Sequence, residues 1–101
     1  MYSKIRHGNY VSYNNVYYKV IDIIKDQGTG EDAFYKLKNH PRVWVHKSQI
    51  NYIGISALYS KRRSRRVMDW VNNRQQPQFK YIHEFQNAYR DALGRPWTGT
   101  L

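Results

Sequence analysis

The chain has 101 residues, 17 Lys and Arg against 7 Asp and Glu, a formal net charge of +10 at pH 7, and no cysteine. That length suits one domain with one modest core, and the lack of any thiol excludes disulfides, thiolate zinc sites, iron–sulfur clusters and cysteine nucleophiles. No apolar run approaches the roughly 20 residues that span a bilayer, and Met1 leads into a polar, basic stretch rather than a signal-peptide core. The expectation is a soluble, cytoplasmic chain, or a nuclear one in a eukaryotic source, with no membrane partner. Hydrophobic residues make up 41% of the chain and 10 of its aromatics are Tyr, rings that serve equally as half-buried sheet filler and as stacking surface. So large a positive balance on a small domain points to an anionic partner, nucleic acid first.

Up to Ile53 the pattern is that of short strands. Residues 10–13 and 16–24 flank Asn14-Asn15, a pair that tolerates positive φ and suits a tight hairpin. A polar stretch around Gly28 and Gly30 marks a longer loop before a third strand over 33–38. Asn39-His40-Pro41-Arg42 is turn chemistry, and residues 43–46 follow as strand four. Lys47-Ser48-Gln49 is a single turn, and residues 50–53 close the set as strand five. This order and spacing, with Tyr35-Lys36-Leu37 followed by Trp44-Val45 and then Gln49-Ile50, resembles the SH3-like barrel in its small Tudor or KOW-like versions, over about residues 8–53. Similar modules occur in small phage-encoded and ribosome-associated proteins. The resemblance implies a partly open barrel of a kind used to bind RNA, DNA, peptides or proteins, and implies no activity.

From Ser56 the period turns helical. At about 100° per residue, residues 56–74 place Tyr59, Val67, Trp70 and Val71 on one side and Arg62, Arg65, Arg66, Asp69 and Asn73 on the other. Pro77 interrupts. A second helix is expected from about 77 to 93, with Tyr81, Ile82, Phe85, Ala88, Tyr89 and Ala92 recurring at spacings of three and four and Gly94 as its C-terminal cap. Residues 95–101 form a tail that frays unless Trp97 packs. The expected fold is α+β: a five-stranded SH3-like β-barrel (1–55), a two-helix basic and amphipathic extension packing on the barrel or on a partner (56–94), and the tail.

Two constellations carry candidate chemistry. Lys61-Arg62-Arg63-Ser64-Arg65-Arg66 packs five basic residues into six, a density whose self-repulsion a bound phosphate relieves, and arginine's planar fork suits phosphate. The alternatives are a solvated basic face, stems covering apolar surface, or a nuclear-localisation signal. The second is one face of the strands. Alternation turns Val16, Tyr18, Val20, Tyr35, Leu37, Val43 and Val45 one way and leaves Tyr17, Lys19, Phe34, Lys36, Lys38, Trp44 and His46 on the other. Rings interleaved with lysines match unpaired bases and their phosphates. Alternatively Phe34 and Trp44 pack beneath the C-terminal helices, or the rings form a Tudor-type cage for a methylated side chain.

His7, His40, His46 and His83 have no metal-ligand spacing, and the acids around Gly28-Thr29-Gly30 lack a calcium loop's alternation, so no metal or cofactor is expected. Nor does a catalytic pair stand out. The residues point to a small, basic, non-enzymatic nucleic-acid-binding accessory protein of low sequence specificity, with RNA favoured over DNA because aromatic sheet faces suit splayed bases. The competing reading is a protein-interaction module docking on an acidic surface of a large assembly such as a polymerase, ribonucleoprotein or virion, with Tyr81, Phe85 and Tyr89 as anchors, against which stands the favoured alternative that this row packs on the barrel.

Overall fold

Asn14 and Asn15 take φ of 50° and 63°, the paired left-handed conformation of a two-residue hairpin turn, and join β1 (Tyr10–Tyr13) to β2 (Val16–Lys25). The computed structural model describes residues 4–41, 43–59, 79–99 and 101. β3 (Asp32–Leu37) and β4 (Val45–His46) follow, and the four strands form one antiparallel sheet in the order β1-β2-β3-β4. A 3-10 turn over Lys47–Gln49 comes next, as the spacing predicts.

The sheet curls because β2 carries irregularities. Val20 pairs with Leu37 but Asp22 pairs with Lys36, so Ile21 is an extra residue, 41% exposed. An inserted residue bends the strand and inverts the inside–outside order beyond it. Strict alternation from Val20 would turn Asp22 and Ile24 inward; instead Ile23 packs inside opposite Tyr35, while Ile24 lies outside opposite Phe34. The curled sheet is a half-barrel. Its interior holds Ile5, Val11, Val20, Tyr35, Leu37 and Val45, all at most 5% exposed.

The expected fifth strand is reduced to one residue. Asn51 exchanges two 2.8 Å backbone bonds with Ser12 on the free edge of β1, which draws the chain end of the half-barrel back to its start. Beyond it the backbone leaves the sheet for another partner. The Ile82 amide donates to the Ile53 carbonyl at 2.9 Å, the Ile55 amide to the Lys80 carbonyl at 3.0 Å, and Gly54 bridges Tyr81. Strand four is also shorter than expected, with Val43 59% exposed and not inward; Val16, at the hairpin end of β2, is likewise exposed at 49%.

The short α1 (Ser56–Tyr59) begins where the helical period begins, and the remainder of the expected helix over 56–74 lies outside the described residues. The main helix, α2 (Ile82–Leu93), starts five residues later than the expected 77. The reason is that residues 80–82 are held by the 53–55 segment, and Glu84 Oε1 accepts the Tyr81 and Lys80 amides at 2.9 and 3.1 Å, fixing the N-terminus there. Gly94, at φ 69°, ends the helix as expected.

β1 is the wall between two cores. Val11 points into the half-barrel, and its neighbour Tyr10 points the opposite way, to meet Ile53, Leu58, Ile82 and Phe85. α2 therefore packs on the outer side of β1. Trp97 joins it edge-on to Phe85, with ring centres 5.6 Å apart, so the tail is anchored at that residue. Polar side chains on α2 fasten the junction. Gln86 Oε1 accepts the Tyr10 amide at 2.9 Å while its Nε2 donates to the Gly8 carbonyl at 3.2 Å, so one side-chain amide satisfies backbone groups as a neighbouring strand would. Asn9 Nδ2 donates to Asn87 Oδ1 at 2.9 Å, and Asn87 Nδ2 donates to the Lys4 carbonyl at 2.9 Å.

Candidate nucleic-acid interface

Strand register sorts the expected outer-face residues into rows. Tyr10 pairs with Lys19, and the Lys38 amide donates to the Lys19 carbonyl at 2.9 Å, so Tyr10, Lys19 and Lys38 lie across β1, β2 and the end of β3. Asp22 and Lys36 form the next row, and Ile24, Phe34 and His46 the last. Phe34 meets His46 edge-on at 5.2 Å and is 39% exposed; α2 covers Tyr10 and leaves Phe34 uncovered. Lys36 and Lys38 are exposed, whereas Lys19 and Trp44 are half-buried, the Lys19 ammonium standing 5.4 Å over the Tyr10 ring. Tyr17 is separate from these rows. It pairs with Ser12 at the hairpin end and lines a groove with Asn15, Asn51 and Tyr52.

The row expected to anchor a partner packs within the molecule. Phe85 is fully buried, Tyr89 is half-buried against it with ring centres 5.9 Å apart, and Tyr81 stacks on His83 at 5.7 Å and meets Tyr52 edge-on at 5.1 Å. The helical period that suggested an anchor row is the period of a core face. Lys61, Arg62, Arg63, Arg65 and Arg66 lie outside the described residues.

Charge is distributed unevenly between internal and external use. Each described Asp and Glu side chain is engaged by its own chain through at least one oxygen, the buried Asp32 Oδ1 being left without a hydrogen bond. Asp26 accepts the Gly28 and Thr29 amides at 2.7 and 3.2 Å, Glu84 caps α2, and Asp32 Oδ2 accepts the Tyr35 hydroxyl at 3.0 Å. Asp91 pairs with Arg6 at 2.9 Å, Glu31 with Lys47 at 3.4 Å, and Asp22 lies 3.9 Å from His7. Lys4, Lys25, Lys36 and Lys38 have no carboxylate at ion-pair distance among the described residues.

Two titrating groups report local environment. The Lys25 amine is held below the ordinary lysine range by Lys4, which as a hydrogen-bond donor favours the neutral Lys25 amine and as a cation repels its charged form, a pull that Asp32 opposes. The Tyr35 phenol is pushed well above its usual range, first by burial and then by its bond to Asp32. Sequence reading missed Lys4, Lys25 and Tyr52. Tyr52 belongs to the outward set of residues 50–53 once Ile53 is assigned to the core, but Lys4 and Lys25 meet only through the fold.

Among the described residues, no three His, Asp or Glu side chains come together to hold a metal ion, and no helix is long and apolar enough to cross a membrane. No known protein family, curated protein or solved structure matches the chain.

Proposed function

We propose that this chain is a small, non-enzymatic nucleic-acid-binding accessory protein built on an SH3-like barrel of the Tudor or KOW kind, a reading supported by the curled four-stranded sheet and the Ser12–Asn51 bridge. The observation that carries the reading is the charge distribution. The described Asp and Glu side chains are engaged by caps, turns, ion pairs and the Tyr35 hydroxyl, while Lys4, Lys25, Lys36 and Lys38 have no carboxylate at ion-pair distance among the described residues, on a chain of net charge +10. Phosphates dock on these lysines and on Arg62, Arg65 and Arg66 of the basic run, and exposed rings such as Tyr17 and Phe34 stack on unpaired bases, Trp44 being half-buried. Such binding is salt-dependent and weakly sequence-specific, with single-stranded RNA preferred.

The test is a titration of the purified chain against single-stranded RNA, single-stranded DNA and duplex DNA at several salt concentrations, with an acidic polypeptide as control. Tight binding to the single strands, with a log-log salt slope of several units, supports the reading. Equal, weak binding to every polyanion overturns it. The protein-interaction reading keeps one observation in its favour: Ile21, Ile24 and Phe34 are each about 40% exposed on the outer face of the sheet. In that reading the sheet, not α2, meets the acidic partner.

A further inference from the structure

Three grooves on the described surface adjoin one another through shared wall residues and so mark out a track. The first lies between Tyr17 and Tyr52; the second, sharing Tyr52 with the first, runs past Asp32 to Lys4; the third, sharing Lys4, Ile5 and Asp32 with the second, lies between Lys4 and Lys25. Their volumes, from about 370 to about 680 Å³, fall in the range of about 300–1,000 Å³ typical of ligand clefts. The two ends differ in chemistry. At one end Tyr17 and Tyr52 are 45% and 49% exposed, with the amides of Asn15 and Asn51 beside them. At the other end Lys4 and Lys25 line one groove, and Asp32 in the same wall is not at ion-pair distance from either. Such crowding of like charge is costly alone and is relieved by an anion.

We propose that an unpaired nucleic-acid strand follows this track, its bases stacking on Tyr17 and Tyr52 and its phosphates held by Lys4 and Lys25. The assignment rests on the nucleic-acid reading above and relocates its main contact from the convex outer face of Phe34, Lys36 and Lys38, residues that line none of the three grooves, to a concave path around the hairpin end and mouth of the half-barrel. Rings with open faces need a concave approach to sandwich a base, and a phosphate gains most from cations that converge on it.

The test uses the full chain and a fluorescein-labelled 12-nucleotide oligouridylate, with folding of each variant checked by circular dichroism. Lys4→Ser with Lys25→Ser should lower the log-log salt slope by about 0.7, the contribution of the one single-strand phosphate on which the two cations converge. Tyr52→Ala should weaken binding at least about fivefold with the slope unchanged, the signature of lost stacking. Because Tyr52 also touches Tyr81 and His83, Tyr17→Ala is the second probe, with the same expected loss. Lys36→Ser with Lys38→Ser serves as the control and should change affinity and slope less than the Lys4 and Lys25 pair. If the control pair has the larger effect, or if neither tyrosine matters, the track is overturned while the nucleic-acid reading stands. If the unaltered chain does not bind the oligonucleotide at all, the reading and the track both fall.

Discussion

The two cores on either side of β1 are assembled from different chemistry. The half-barrel interior is lined by aliphatic side chains and Tyr35, so its stability comes from apolar burial that tolerates repacking. The junction with α2 is apolar at its centre, around Phe85, but it is bordered by Asn9, Gln86 and Asn87, all at most 6% exposed and hydrogen-bonded. Apolar contacts alone allow a helix to slide on a sheet; buried amides do not, since each displacement leaves a donor or acceptor unpaired in a dry site. The comparison teaches that α2 is held at one register by polar groups and held in place by apolar ones.

The largest effect expected is at the centre of the junction. Phe85 is fully buried and touches Phe79, Tyr89 and Trp97, so Phe85→Ala should cost about 3–5 kcal/mol, read from the denaturant midpoint. Leu37→Ala, in the half-barrel, should cost about 2–5 kcal/mol by the same mechanism. If α2 were a docking element, Phe85→Ala would leave the midpoint unchanged. Next comes the amide clamp. Asn87→Leu preserves volume but strands the Asn9 amide and the Lys4 carbonyl, for a cost of about 1–3 kcal/mol. Replacing both, Asn9→Leu with Asn87→Leu, should cost less than the sum of the single changes, and additive costs would show that the two amides act independently.

Tyr35 links the half-barrel to pH. Its phenol titrates higher in the folded chain than the ordinary value of about 10, so below pH 10 folded and unfolded forms bind the same proton. Above it the unfolded chain gives up that proton first, and stability falls as pH rises. The loss of stability between about pH 10 and 12 should therefore be shallower in Tyr35→Phe than in the unaltered chain, measured as the change in denaturant midpoint, although Tyr35→Phe is the less stable at neutral pH for want of the Asp32 bond. Equal slopes would place the alkaline sensitivity elsewhere.

Local order was legible in the sequence wherever one residue type dictates backbone geometry. The Asn14-Asn15 turn, the 3-10 turn at Lys47–Gln49 and the Gly94 cap follow from conformational preference alone. Inside–outside alternation was right for Val20, Tyr35, Leu37 and Val45 and failed past Ile21, because a bulge has no period of its own. The start of α2 was misplaced because tertiary bonds from Ile53 and Ile55, far away in sequence, set it. For the candidate site, composition pointed to lysines and tyrosines, the residue types that line the proposed track. It did not reveal that Tyr17 stands with Tyr52, which depends on the Ser12–Asn51 closure, or that Lys4 shares a groove with Lys25, which depends on the segment before β1 running beside β2.

The smallest effect expected separates the two ways of fastening α2. Arg6 pairs with Asp91 across the same junction that Asn87 clamps, at the same 2.9 Å, but both side chains are more than 40% exposed. Water competes for exposed charges and salt screens them, so Arg6→Ala should cost at most about 1 kcal/mol at low ionic strength and lose that cost as salt rises. The Asn87→Leu cost should be indifferent to salt, because its groups are neutral and dry. Thermal melts of both variants at low and high salt make the comparison. A salt-sensitive loss in Arg6→Ala as large as that of Asn87→Leu would mean that charge at the edge of α2 holds it as strongly as the buried amides do.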